Sequence, residues 1–186
     1  LSIAQPLSVG VYSDGEYLDL VLTESLGVGE VIEKLNESAP PTIKFLHATP
    51  VEIIENVKRL PQAMALLDGA RYTIKVKLNG TSKVEEEMGK TLNESKWEIV
   101  KKTKKGEKLT DIKPLVKEFK YWVKDNELIL NTLIATGSRE NLSADLLVTY
   151  LKGKVSEINP DSFVNIKREE MYILKNNKYV PLYKGI

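Results

Sequence analysis

The stretch Glu127-Leu128-Ile129-Leu130-Asn131-Thr132-Leu133-Ile134-Ala135 decides the fold. It is a strongly apolar run of strand length, and the chain on both sides of it alternates strand and helix. Downstream, Leu142-Ser143 opens a helix. Ser143 is placed as N-cap, Leu142 and Leu147 as a hydrophobic staple, and Leu147, Tyr150 and Leu151 continue the buried stripe. Val164 to Leu174 returns as a strand, and Lys175-Asn176-Asn177-Lys178 turns the chain into Tyr179 to Tyr183. Upstream, Arg71 to Leu78 carries Tyr72, Ile74, Val76 and Leu78 on one strand face. Ser82-Lys83-Val84-Glu85 fits a capping box, after which Val84, Met88 and Leu92 make a helical stripe weakened by Gly89. Trp97 to Val100 begins a strand, and the lysine-rich stretch behind it turns at Gly106. This half therefore reads strand, helix, strand, excursion, strand, helix, strand.

The N-terminal residues give a shorter version of the same order. Leu1 to Leu7 reads as a strand ending at a proline, and Ser13-Asp14-Gly15 is turn chemistry. Tyr17 to Leu22 alternates with Leu18, Leu20 and Leu22 on one face. Val28, Val31, Ile32 and Leu35 fall at helical spacing, Pro40-Pro41 stops that helix, and Thr42 to Thr49 resumes as a strand. Val57, Leu60, Met64 and Leu67 are the packing residues expected of the connector that follows.

The expected fold class is therefore α+β: two tandem ferredoxin-like (βαββαβ-type) units with antiparallel sheets, the first lacking its initial strand and helix. Residues 1–56 are the remnant of the first unit, 57–70 a connector and 71–186 the second unit. The two halves share no residue-level identity. The chain opens on Leu1, directly on a strand-like run, so a preceding N-terminal segment is expected.

Composition removes whole chemistries. The chain has 186 residues, 42% apolar and 28% charged, which are the proportions of an ordinary globular protein with a sizeable core. Its formal net charge of +1 supplies no global field toward nucleic acid or membrane. No apolar run is long enough to span a bilayer and no signal peptide is visible, so the expected setting is cytoplasmic. With no cysteine there is no thiol nucleophile, thiolate zinc site or cysteine-held iron–sulfur cluster. His47 is the single histidine, which rules out paired-histidine metal sites within one chain. A serine triad would need His47 as its base, and no G-x-S-x-G elbow, P-loop or G-x-G-x-x-G fingerprint accompanies it. No metal site and no cofactor is implied.

What remains is a short inventory. Lys101, Lys102, Lys104, Lys105 and Lys108 cluster in one hairpin, where lysines attract phosphates without reading sequence. Trp97, Phe119, Tyr121 and Trp122 lie near them in sequence and would stack on bases if exposed. The plainer reading is a solvated edge hairpin kept from aggregating by its charge. Asp14, Glu16 and Asp19 are close enough to consider for a hard cation, but they carry no loop spacing and read as turn and strand carboxylates. Gly137-Ser138 reads as a strand-to-helix turn rather than an anion nest. Asp19 and Asp111 are the candidate acid or base groups of an enzyme on a small anionic substrate. Asp111 has the better claim because Lys108 and Lys113 lie close by.

Two stretches carry a family resemblance. Pro6-Leu7-Ser8-Val9-Gly10, Ser13 and Glu16-Tyr17-Leu18-Asp19 resemble the opening half of a bacterial radical-SAM-linked family catalogued as a domain of unknown function. Asn36 matches that family's Leu-Asn before its next strand. Lys104-Lys105-Gly106 with Asp111-Ile112-Lys113-Pro114 is similar to its second signature, which usually has arginine where Lys113 stands. The family normally begins earlier, with a strand, a helix and a Gly-Phe-Asn-Pro-like segment. Its proline-containing start of the last helix is replaced here by Asn141-Leu142-Ser143-Ala144. The resemblance implies a companion of a radical S-adenosylmethionine (radical SAM) protein, encoded beside it or fused to its C-terminal end, often near genes of RNA processing and ribosomal proteins. Lacking cysteine, this chain is not itself the radical enzyme. The expected function is a noncatalytic accessory or substrate-presenting module, with Ser13, Glu16, Tyr17, Lys104, Lys105, Asp111 and Lys113 as the binding residues. An RNA-binding protein acting through the lysine hairpin, and an enzyme using Asp111, are the alternatives.

Overall fold

The computed structural model describes residues 1–51, 61–103 and 106–185. Val57, Leu60, Lys104 and Lys105 lie outside the described residues. In chain order the N-terminal elements are β1 (Ser2–Ile3), β2 (Val11–Ser13), β3 (Leu18–Asp19) and α1 (Val28–Ser38), followed by the single turn α2 (Ala63–Leu66). Then come β4 (Gly69–Lys77), α3 (Val84–Asn93), the hairpin β5 (Glu98–Thr103) and β6 (Gly106–Asp111), β7 (Val116–Lys124) and β8 (Glu127–Ala135). The chain closes with α4 (Ala144–Lys152), β9 (Asn165–Lys175), β10 (Lys178–Pro181) and α5 (Leu182–Gly185).

The architecture is mixed α+β with few helices. The main sheet runs β10-β9-β4-β8-β7, and β2 adds to β9. Along the chain, β4, β7, β8 and β9 are the first to fourth strands of a strand-helix-strand-strand-helix-strand path. In space they lie fourth, first, third, second, with every neighbour antiparallel, which is a split β-α-β order. One face is the core: Tyr72, Ile74 and Val76 of β4 stand opposite Thr132, Leu130 and Leu128 of β8, all buried. The buried residues Val84 and Met88 of α3, and Leu147, Val148 and Leu151 of α4, belong to the same core. The β7–β8 and β9–β10 hairpins turn on Asp125-Asn126 and Asn176-Asn177, all four with positive φ. Asn and Asp tolerate that conformation, and the primed turn it makes matches strand twist.

Several expectations change. The sequence expects Trp97 to Val100 to begin a strand of the second unit's sheet, yet among the described residues β5 pairs with β6 in a separate two-stranded ribbon. The main-sheet strand is β7, inside the presumed excursion. β7 extends along β8 from Val116 to Lys124 and turns Phe119, Tyr121 and Val123 toward the core, a longer matched face than β5 offers. The capping box is also replaced. Glu157 accepts from Ser82 Oγ (2.8 Å) and Lys83 N (2.8 Å), while Glu85 accepts from the Tyr121 hydroxyl (2.9 Å). Ser143 does cap α4, accepting from Leu146 N.

The N-terminal residues differ most. Strands expected over Leu1 to Leu7 and Tyr17 to Leu22 shrink to the two-residue ladder of β1 and β3. Thr42 to Thr49 forms no strand; the Asn36 side chain holds Phe45 instead, accepting from its N (2.8 Å) and donating to its O (2.9 Å). β2 was not anticipated, and it joins β9 in parallel, so the sheet is mixed rather than antiparallel. Among the described residues, 1–51 thus contribute short pieces, one of them laid on the second half's sheet. Met64, expected to pack, is 36% exposed.

A Cβ built on Gly89 of α3 meets nothing within 4 Å. Gly89→Ala is therefore expected to stabilise the protein by about 0.5–1 kcal/mol, since glycine loses the most backbone freedom in a helix. Urea unfolding measures it, and a loss of stability would mean that the helix face is occupied.

Candidate functional site

The two family-like stretches build two bracing sites. In the first, Arg168 lies on the inward face of β9 between Ile166 and Met171 and is only 2% exposed. A buried guanidinium needs a counter-charge. Glu16 supplies it as a bidentate acceptor, from Nε at 2.8 Å and Nη2 at 2.6 Å. Nη2 also donates to the Gln5 carbonyl (2.6 Å), so one arginine ties residues 5 and 16 to the sheet.

Ser13 and Tyr17 serve the same junction. Ser13 Oγ accepts from Gly15 N (3.1 Å), closing the turn after β2, and Asp14 N donates to Arg168 O (3.0 Å). A Cβ on Gly15 would stand 2.9 Å from the Glu169 carbonyl, so the turn lies against β9 more closely than a larger residue allows. The Tyr17 hydroxyl donates to Glu170 Oε1 (2.7 Å). Burial, reinforced by the Glu170 carboxylate, pushes that phenol well above its ordinary range. It holds its proton at neutral pH and is not poised as a base. Asp14 pairs with Lys167, Glu16 with Arg168, and Asp19 accepts from Ala63 N (3.0 Å) at the start of α2. The three carboxylates are drawn to three separate partners rather than to one ion. Among the described residues, no group of three or more His, Asp or Glu side chains is placed to hold a metal.

The second site closes the base of the hairpin. Asp111 Oδ1 accepts from the backbone amides of Trp97 (2.9 Å) and Lys113 (3.0 Å), and Ile112 N donates to Trp97 O (2.9 Å). Lys113 Nζ turns away from Asp111 and donates to Leu92 O (3.0 Å) and Glu94 O (2.5 Å) at the end of α3, where a cation meets the helix dipole. It also stands 5.9 Å over the Trp97 ring. Trp97 is 2% exposed, stacks on Tyr150 (5.4 Å) and donates its indole N–H to Thr91 O (2.9 Å). Glu94 accepts from Lys154 (2.6 and 2.8 Å) and the Tyr150 hydroxyl (2.7 Å). The Lys154 bond, then the Tyr150 bond, hold its carboxyl below the ordinary range. Within the hairpin, Lys101 stands opposite Lys108 and reaches the Asn141 carbonyl (3.4 Å).

The structure thus brings Ser13, Glu16 and Tyr17 together at one junction and Asp111 with Lys113 at another. Arg168, Glu170, Glu94 and Glu157 carry comparable weight without a motif to mark them. For Arg168 the signal is only its alternation phase: it shares the inward parity of Ile166, but Lys167, Glu169 and Glu170 beside it mask that position as one more charge in a charged run. A hollow of about 240 Å³ lies elsewhere, lined by Leu67, Asp68, Thr136, Arg139 and Glu140. Its charges are matched: Asp68 pairs with Arg139, and Glu140 with Lys117. His47 stacks on Tyr183 at 6.3 Å. No helix among the described residues is long and apolar enough to cross a membrane.

These features define a scaffold of the α+β class with two signature-built braces. Residues 1–144 match the family described as "uncharacterized protein conserved in bacteria" (DUF2344), and the chain belongs to it. No curated protein and no solved structure matches the chain.

Proposed function

We propose that this chain is a noncatalytic accessory module that docks a radical SAM protein or presents its substrate. The observation that carries the reading is α1. Among the described residues its apolar stripe is not fully covered: Val28 is exposed, Val31, Ile32 and Leu35 are only half-buried, and Val21, Leu22, Ile43 and Leu46 are exposed nearby in sequence. An amphipathic helix whose apolar stripe the described residues cover only in part has the form of a helix-in-groove contact. Residues 1–56 are then the remnant of a first ferredoxin-like unit, its missing layer supplied by the partner. The signature residues support this reading by serving to hold that region on the main sheet. The family resemblance supplies the partner's class, and the absence of cysteine leaves cluster chemistry to it.

Co-purification with the radical SAM protein of its gene neighbourhood is the test. The pair is expected to elute together, and deletion of this chain to lower that protein's product formation. No association, together with no effect of deletion, overturns the reading.

A further inference from the structure

The face of the main sheet opposite α3 and α4 carries a second, separate surface. Strand alternation places Lys120, Trp122 and Lys124 of β7 outward, while Phe119, Tyr121 and Val123 join the core. Register sets Lys75 of β4, Ile129 of β8 and Trp122 in one cross-strand row. The next row is Lys77, Glu127 and Lys124, and Lys120 stands beside Asn131 in the row on the other side. Trp122 is 43% exposed, and the four lysines around it are exposed as well. None of the four has an ion-pair or hydrogen-bond partner for its side chain among the described residues.

The acids of this face are mostly engaged. Glu118 is bonded to Arg71 (2.7 Å), Glu169 accepts from Thr73 (2.6 Å), and Asp14 pairs with Lys167. Among the described residues, Glu127 is the acid that shares a cross-strand row with these lysines, between Lys77 and Lys124. The chain as a whole is near neutral, so this is local segregation of charge.

We infer that this face binds single-stranded nucleic acid, with Trp122 stacking on one base and Lys75, Lys77, Lys120 and Lys124 neutralising the flanking phosphates. A flat sheet does not enter a duplex groove, whereas a ring lying on it offers a platform to an unstacked base. Outward side chains two residues apart on β7 repeat at about 6.6 Å, a spacing suited to an extended strand of nucleotides. The site is distinct from the lysine hairpin and independent of the α1 contact.

The test uses the intact chain and a short fluorescein-labelled oligouridylate, followed by anisotropy across a salt series. Four phosphate contacts predict that Lys75→Gln, Lys77→Gln, Lys120→Gln and Lys124→Gln together flatten the log–log salt slope by about 3. Trp122→Ala is expected to weaken binding tenfold or more, and Trp122→Phe to keep it within about threefold, on the basis of the stacking contribution of an aromatic ring. Trp97 is buried, so binding should quench the intrinsic fluorescence of the wild-type chain and not that of Trp122→Phe. Unchanged melting temperatures of these surface variants show that folding is intact. The proposal is overturned by an absence of binding, by equal binding of Trp122→Ala, or by loss of binding only in Lys101→Gln/Lys108→Gln. Capture by anionic lipid vesicles without capture by oligouridylate overturns it equally.

Discussion

Replacing Glu16 by alanine is expected to destabilise the protein by about 3 kcal/mol, the lower end for leaving a buried charge without its partner. Arg168 would retain only the Gln5 carbonyl and the Tyr72 hydroxyl, the latter at 3.5 Å. For a chain of this size that loss lowers the melting temperature by roughly 6–12 °C. The expected loss is coupled to Arg168: adding Arg168→Met to the Glu16→Ala chain should recover part of it, because no buried charge then remains. Urea unfolding of the two single variants and the double variant gives the coupling directly. A Glu16→Ala chain within about 0.5 kcal/mol of wild type, the range of an ordinary surface substitution, would show that the pair does not brace the N-terminal segment.

Trp97→Ala is expected to cost about 3–5 kcal/mol, as for other buried large aromatics. The indole fills the space between Phe119 and Tyr150, satisfies the Thr91 carbonyl and supports Lys113. Its removal leaves a cavity at the point where α3, the hairpin and β7 meet. Trp97→Phe keeps much of the volume but not the N–H, so about 1–2 kcal/mol is expected there, the sum of one lost hydrogen bond and partial packing loss. Equilibrium unfolding of both variants checks the order. A Trp97→Ala loss below about 1 kcal/mol would place the ring outside the core, available for stacking after all.

The second half was legible because its strands bury one face against helices. β8 is legible to its last residue, and so is Ser143 as the cap of α4, since a serine before an apolar helical stripe has few other uses. β7 was harder. Lys117, Lys120 and Lys124 dilute its apolar alternation, and edge strands carry such charge by design. Its inward residues became visible only against β8. The N-terminal residues depart from their local pattern for a different reason. Local alternation over Tyr17 to Leu22 says nothing about whether a neighbouring strand is at hand, and here only two residues find one. In Thr42 to Thr49, Asn36 grips the Phe45 backbone at both its N–H and its carbonyl, a side-chain substitute for a ladder that no periodicity reveals.

The candidate residues were found by resemblance, and their roles by geometry. Asp111 and Lys113 stand two positions apart in the chain and read as a carboxylate near an ammonium. They point at different backbone groups, one at the hairpin and one at the end of α3. Arg168, which organises the other brace, needs a partner more than 150 positions away. A sequence read locally does not pair them.

The role proposed for this chain is docking, with the signature residues bracing the scaffold that presents α1. Calorimetric titration of the intact chain into the proposed radical SAM partner is the test, with Val28→Glu/Ile32→Glu and Asp111→Asn measured alongside. A saturable complex is expected, weakened tenfold or more by the α1 pair and unchanged by Asp111→Asn, whose amide oxygen still accepts from Trp97 and Lys113. No complex, or one that survives the α1 pair and fails with Asp111→Asn, would contradict it.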